Sequence, residues 1–159
     1  MGTPTPSQTV GPFFGFAMPF EGDANAVAPG SQGAIRVEGQ VVDGAGEPVP
    51  DALLEVWEGD QFGRCRTDAE GAFHFTVRKP EAAGGGAPYM NVTVFARGLL
   101  RHLCTRLYFP DEQAANEVDP VLRQVDTGRR HTLVARRSAG GLHFDVHLQG
   151  DQETVFFAL

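Results

Sequence analysis

Three groups of side chains have the types and spacing to do chemistry. The richest lies in Pro88-Tyr-Met-Asn-Val-Thr-Val-Phe-Ala-Arg97-Gly98 and the following Arg101-His-Leu-Cys-Thr-Arg-Leu-Tyr-Phe-Pro110, which together hold both tyrosines of the chain, Tyr89 and Tyr108, and the arginines Arg97, Arg101 and Arg106. Phenolates ligate ferric ion, and a guanidinium holds a carboxylate through charge-assisted hydrogen bonds, so this segment could serve a metal or a small anion. In the second group, Leu142-His-Phe-Asp-Val-His-Leu148, His143, Asp145 and His147 alternate with apolar residues, and His143 with Asp145 could begin a facial iron triad. On an extended strand, at roughly 3.3 Å per residue, His143 and His147 fall about 13 Å apart and cannot share an ion. The expected role of this second group is the solvent face of an outer strand. Cys65 and Cys104 form the third group; they lack the close pairing of a zinc site and are too few for a disulfide scaffold, so ordinary half-buried thiols are expected. A nucleophile elbow, a phosphate-binding glycine loop and a Cys-x-x-Cys pair are all missing.

The elements that must carry these residues read as all-β. Twenty glycines and 11 prolines cut the 159 residues into short apolar runs with period two. Strands are expected at 34–42, 52–58, 72–77, 89–97, 103–109, 131–136, 141–148 and 153–157, with turns at Asp43-Gly-Ala-Gly46 and Thr67-Asp-Ala-Glu-Gly71. One short helix is expected from Asp111 to Glu117, behind Pro110. The expectation is a two-sheet antiparallel β-sandwich of seven to eight strands with an extended N-terminal arm and one short helix.

The chain is long enough for one continuous core and short for two. Residues 1–33 are expected to form an arm packing on the domain or a partner, and 34–159 the sandwich. Phe13, Phe14, Phe16 and Phe20 carry too much apolar area to be left in water at about 25 cal/mol per Å². A net charge of -7 is the wrong sign for a nucleic-acid partner. No apolar run approaches the roughly 20 residues of a membrane span, and Met1-Gly-Thr-Pro-Thr-Pro-Ser lacks the features of a signal peptide, so a cytoplasmic protein with no membrane partner is expected.

In order along the chain, Thr5-Pro-Ser-Gln-Thr-Val-Gly-Pro-Phe13, Val49-Pro-Asp-Ala-Leu-Leu-Glu-Val-Trp-Glu58, Gly63-Arg64, Lys79-Pro80, the 88–110 stretch and the ending Gln149-Gly-Asp-Gln-Glu-Thr-Val-Phe-Phe157 resemble the intradiol ring-cleavage dioxygenases. The resemblance implies a β-sandwich paired with a homologous beta-type chain, and cleavage of a catecholic acid by O2 at their junction. It also implies non-haem Fe(III) held by two tyrosines and two histidines of that partner. In this chain the ligand positions are vacant. No tyrosine follows Trp57, whose loop to Gly63 is shortened. No Tyr-Pro-Trp follows Lys79-Pro80, and the His-x-His positions hold Tyr89 and Asn91. The chain is therefore expected to bind no metal and to contribute no catalytic residue. By the same resemblance Thr9, Gly11, Pro12 and Arg97 would bind substrate, Arg97 by gripping a carboxylate. Phe13 and Cys104 depart from the common pattern. The runner-up is a non-enzymatic prealbumin-like β-sandwich module, which shares Gly39-Gln-Val-Val-Asp-Gly and Pro50-Asp-Ala-Leu-Leu-Glu-Val.

Overall fold

The computed structural model describes residue 11 and residues 14–82 and 84–158. Two sheets face each other. The first has the strand order β4-β1-β8-β7, from β4 (Ala72–Arg78), β1 (Ala34–Val42), β8 (Gly141–His143) and β7 (Arg136–Ser138), with β9 (Val146–His147) also on β1. The second has the order β3-β2-β5-β6, from β3 (Gln61–Arg66), β2 (Leu53–Glu58), β5 (Tyr89–Phe95) and β6 (Leu103–Tyr108). The core between them takes Val37, Phe73 and Phe75 from β1 and β4, with Phe144 from between β8 and β9, on one side, and Leu54, Val56, Met90, Val92 and Leu107 on the other.

The sandwich is as expected, with corrections in detail. Among the described residues there are nine strands, and the first sheet is mixed, because β8 and β9 both run parallel to β1. The expected strand 141–148 is broken between them where Asp145 turns its carboxylate to accept a hydrogen bond from the Gln40 amide. Here Gly39 passes so close to Phe144 that an added Cβ would sit 1.8 Å from its carbonyl oxygen. The segment 131–136 is not a strand: Arg130–Leu133 is a 3₁₀ turn, and β7 starts only at Arg136. Residues 153–157 make a single bridge, Phe157 with Cys104. The short helix α2 spans Gln113–Val118, and a further turn, α1, covers Phe14–Ala17.

Strand β3 was not expected at all. Its inward positions are Gln61, Gly63 and Cys65 while Phe62, Arg64 and Arg66 point outward, so its polarity pattern is inverted. Gln61 can be buried because its amide both donates to the Arg78 carbonyl and accepts from the Arg78 amide, at 2.8 and 2.7 Å.

The sheet edges are covered by irregular chain. The Asp23 carbonyl accepts from the Arg64 amide of β3, and Ala24 and Val27 exchange hydrogen bonds with Thr76 of β4, so one short segment lines an edge of each sheet. On the far side, Phe157 and Ala135 donate to Cys104 and Tyr108 of β6. Of the aromatics before β1, Phe14 is buried and Phe20 is exposed. Cys65 and Cys104 are free thiols, both pushed above their ordinary pKa by burial.

Candidate functional site

The outer face of the second sheet carries the residues at issue. The register of β3, β2, β5 and β6 places Phe62, Trp57, Asn91 and Arg106 in one row across four strands. Arg64, Glu55, Thr93 and Cys104 form the row beside it, and Tyr89 and Tyr108 pair beyond. Strands β2 and β3 are joined by only Gly59 and Asp60, Gly59 in the left-handed region that suits a tight hairpin. The shortened loop is thus a minimal turn, with no room for a ligand-bearing excursion.

Over this face lies a cleft of about 780 Å³. Trp57, Asn91, Thr93, Cys104 and Arg106 form its floor, the segment 121–129 one wall, and Val155 with Phe157 another. The wall is held by a carboxylate that is only 1% exposed. Asp119 accepts hydrogen bonds from the amides of Ala87, Val121 and Leu122 at 2.8–2.9 Å and from the Tyr108 hydroxyl at 3.1 Å. The Tyr108 oxygen in turn accepts from Arg106 at 3.2 Å, and the Arg106 guanidinium lies 3.8 Å from the centre of the Tyr89 ring. This chain of contacts fixes the cation on the cleft floor. Thr105, in the same motif, is buried with its hydroxyl donated to the Val155 carbonyl.

Burial pushes the Tyr108 phenol up to about 12. An unfolded tyrosine ionises near 10, so between roughly pH 10 and 12 the unfolded chain releases a proton that the folded chain keeps. The stability from the neutral phenol is complete below pH 10 and is lost as pH rises through 12. We expect urea-unfolding stability to fall across that window and the Tyr108 share of the fall to vanish in Tyr108→Phe; the same slope in both proteins would contradict it.

The donor set does not fit ferric ion. The Asn91 amide nitrogen donates to Glu58 Oε2 at 2.7 Å and to the Trp57 carbonyl, the Tyr89 ring lies under a guanidinium, and the Cys104 thiol is shifted toward its neutral form. Ferric ion calls for anionic oxygen and imidazole donors free to coordinate, and a neighbouring Arg106 would repel it. Among the described residues no group of three or more His, Cys, Asp or Glu could hold a metal ion. At the other candidate, Asp145 is engaged by Arg136 and His143, each at 2.8 Å.

Of the sequence-predicted substrate residues, Arg97 and Gly11 do not line this cleft. Arg97 follows the end of β5 with its side chain 69% exposed and paired with Asp51. Gly11 is exposed, and Thr9 and Pro12, like Phe13, lie outside the described residues. Sequence reasoning noted Arg106 only as part of an arginine cluster and missed Asp119. The available signal was Asp119 placed two and three residues before Val121 and Leu122, the spacing at which an Asp side chain caps following amides.

No protein-family model matches the chain. The protocatechuate 3,4-dioxygenase alpha chain of Burkholderia cepacia is 40% identical over 189 aligned positions that cover 96% of each chain. This chain belongs to the intradiol dioxygenases, among the protocatechuate 3,4-dioxygenase alpha chains. The aligned span exceeds the 159 residues present, so the relative carries stretches without a counterpart here, as the tight β2–β3 hairpin leads one to expect. The beta chain of the same enzyme from Burkholderia cepacia is 30% identical, over 76% of this chain and 66% of its own. Among solved structures, the dioxygenase domain of a carbohydrate-binding fusion protein from Streptomyces sp. SirexAA-E superposes with a TM-score of 0.65 at 26% identity, over 93% of this chain and 99% of that one. Identity to an alpha chain along the whole length favours the intradiol reading over a prealbumin-like module, which would share only the fold. No helix among the described residues is long and apolar enough to cross a membrane.

Proposed function

We infer that this chain is the alpha subunit of a cytoplasmic protocatechuate 3,4-dioxygenase, assembled with a homologous beta subunit. The holoenzyme opens the catechol ring between its hydroxylated carbons and places both atoms of O2 in the product, 3-carboxy-cis,cis-muconate. Ferric ion would be held by the beta subunit and would supply the activation of the catecholate there. This chain contributes shape and substrate recognition. The observation that carries the reading is the row Trp57, Asn91 and Arg106 on a sheet whose β2–β3 hairpin has two residues, with no iron-ligating set among the described residues, in a chain matched over 96% of its length by an alpha chain.

Thr9, Gly11 and Pro12 would line the partner's pocket, glycine and proline allowing backbone to approach a flat ring without side-chain clash. Arg97 would hold the substrate carboxylate, which lies away from the reacting hydroxyls, and so fix the ring's orientation. Asp51 keeps that guanidinium in place at the strand end. In the assembled enzyme, Arg97→Ala should raise KM by about tenfold or more with a smaller change in kcat, as expected for a charged hydrogen bond of about 1.5–3 kcal/mol; an unchanged KM would remove Arg97 from the pocket.

The subunit assignment is tested by expressing the chain with and without a beta subunit. Oxygen uptake with protocatechuate and stoichiometric iron should appear only in the co-purified assembly. Turnover, or tyrosinate-to-iron colour, from this chain alone would overturn it.

A further inference from the structure

We propose that the cleft over the second sheet is a binding site of this chain for an aromatic monocarboxylate, gripped at its charged end by Arg106. The volume of about 780 Å³ lies within the range of small-molecule sites. Its lining is chiefly apolar, with Val121, Val125, Val155 and Phe157 around Trp57, whose indole is 49% exposed. A flat ring laid on that indole would bury apolar surface on both partners and match the geometry that aromatic rings prefer.

Charge selects the rest of the ligand. Of the other guanidiniums on or beside this face, Arg64 and Arg129 each have a carboxylate partner. Arg106 has none among the described residues: it donates to the neutral Tyr108 hydroxyl and stacks on Tyr89 and, more loosely, on Phe157. Most of its fork of donors is therefore uncommitted to protein on a partly apolar floor, which is the arrangement that takes a carboxylate. It is also preorganised, since Asp119 holds Tyr108 and Tyr108 holds Arg106, so little side-chain freedom remains to be lost on binding. Asp126 lines the same cleft, its Oδ1 accepting from the Gly128 amide at 2.8 Å, while Arg129 beside it is paired with Glu153. With Arg129 already paired, Arg106 is the one guanidinium among the described lining residues left to meet a ligand carboxylate, and a second carboxylate would face Asp126.

The test needs neither iron, partner nor turnover, so its failure would leave the subunit assignment untouched. Trp57 is the chain's single tryptophan and lines the cleft, so its fluorescence reports occupancy directly. The full-length chain is titrated with benzoate, with the neutral isostere benzamide and with the dianion isophthalate. A saturable change is expected with benzoate, with affinity for benzamide and isophthalate lower by about tenfold or more. Arg106→Met keeps an unbranched apolar side chain and removes the charge; it should bring benzoate down to the level of benzamide, with an unchanged far-ultraviolet dichroism spectrum. The proposal is overturned if benzoate and benzamide titrate alike, if benzoate gives no saturable change at millimolar concentration, or if folded Arg106→Met binds benzoate as the native chain does. Should Arg106→Met fail to fold, the comparison of benzoate with benzamide on the native chain decides alone.

Discussion

Asp119→Ala lowers the stability of the chain by about 3–5 kcal/mol, roughly 10 °C or more in Tm. The native carboxylate gathers three amides and a phenol in a place almost closed to water. Truncation leaves those donors without partners, and each buried unmet donor costs about 1–3 kcal/mol, partly recovered where water can enter beside the less buried Val121. Asp119→Asn separates the terms. Its single oxygen, placed as Oδ1, still serves Val121, Leu122 and Tyr108, but an NH2 group then faces the Ala87 amide, so about 1–2 kcal/mol should be lost. Urea unfolding followed by Trp57 fluorescence distinguishes the two. Equal, small losses would mean that the network does not hold the cleft wall.

Gly39→Ala is the second large effect, at about 3–5 kcal/mol, with loss of soluble protein as its extreme. The cause is space and not backbone conformation, for Gly39 lies outside the left-handed region. Its missing side chain lets the Phe144 carbonyl approach to where a Cβ would be, with the Phe73 ring 3.1 Å away on the same side. The obstacle is backbone, so a rotamer change cannot relieve it, and the β1 junction with β8 and β9 would have to part. Gly140→Ala serves as the control: nothing lies within 4 Å of its added Cβ, and a change within about 0.5 kcal/mol is expected. Comparable losses at both positions would refute the packing argument.

These two sites also mark how far the chain could be read before its fold was known. Strands β1, β2, β4, β5 and β6 were legible because their apolar residues alternate and turn residues bound them. Strand β3 was not, because it buries a glutamine, a glycine and a cysteine and turns its phenylalanine and arginines outward, the reverse of the usual signal. The stretch 153–157 failed in the opposite way: Val155, Phe156 and Phe157 look like a strand but pack beside β6 with one bridge. Of the site, the placing of Tyr89 and Asn91 on one strand could be read from the alternation of residue types. The way Asp119, Tyr108 and Arg106 join could not, because it depends on a loop returning from eleven residues downstream to meet an outward face of β6.

The segment 23–27 has a practical side. Composition invites cutting the chain before Ala34, yet this short stretch stitches the rims of both sheets, satisfying Arg64 on one and Thr76 on the other. A recombinant version trimmed to its sandwich would carry two raw hydrogen-bonding ladders into solution, the template for strand-to-strand polymerisation between molecules.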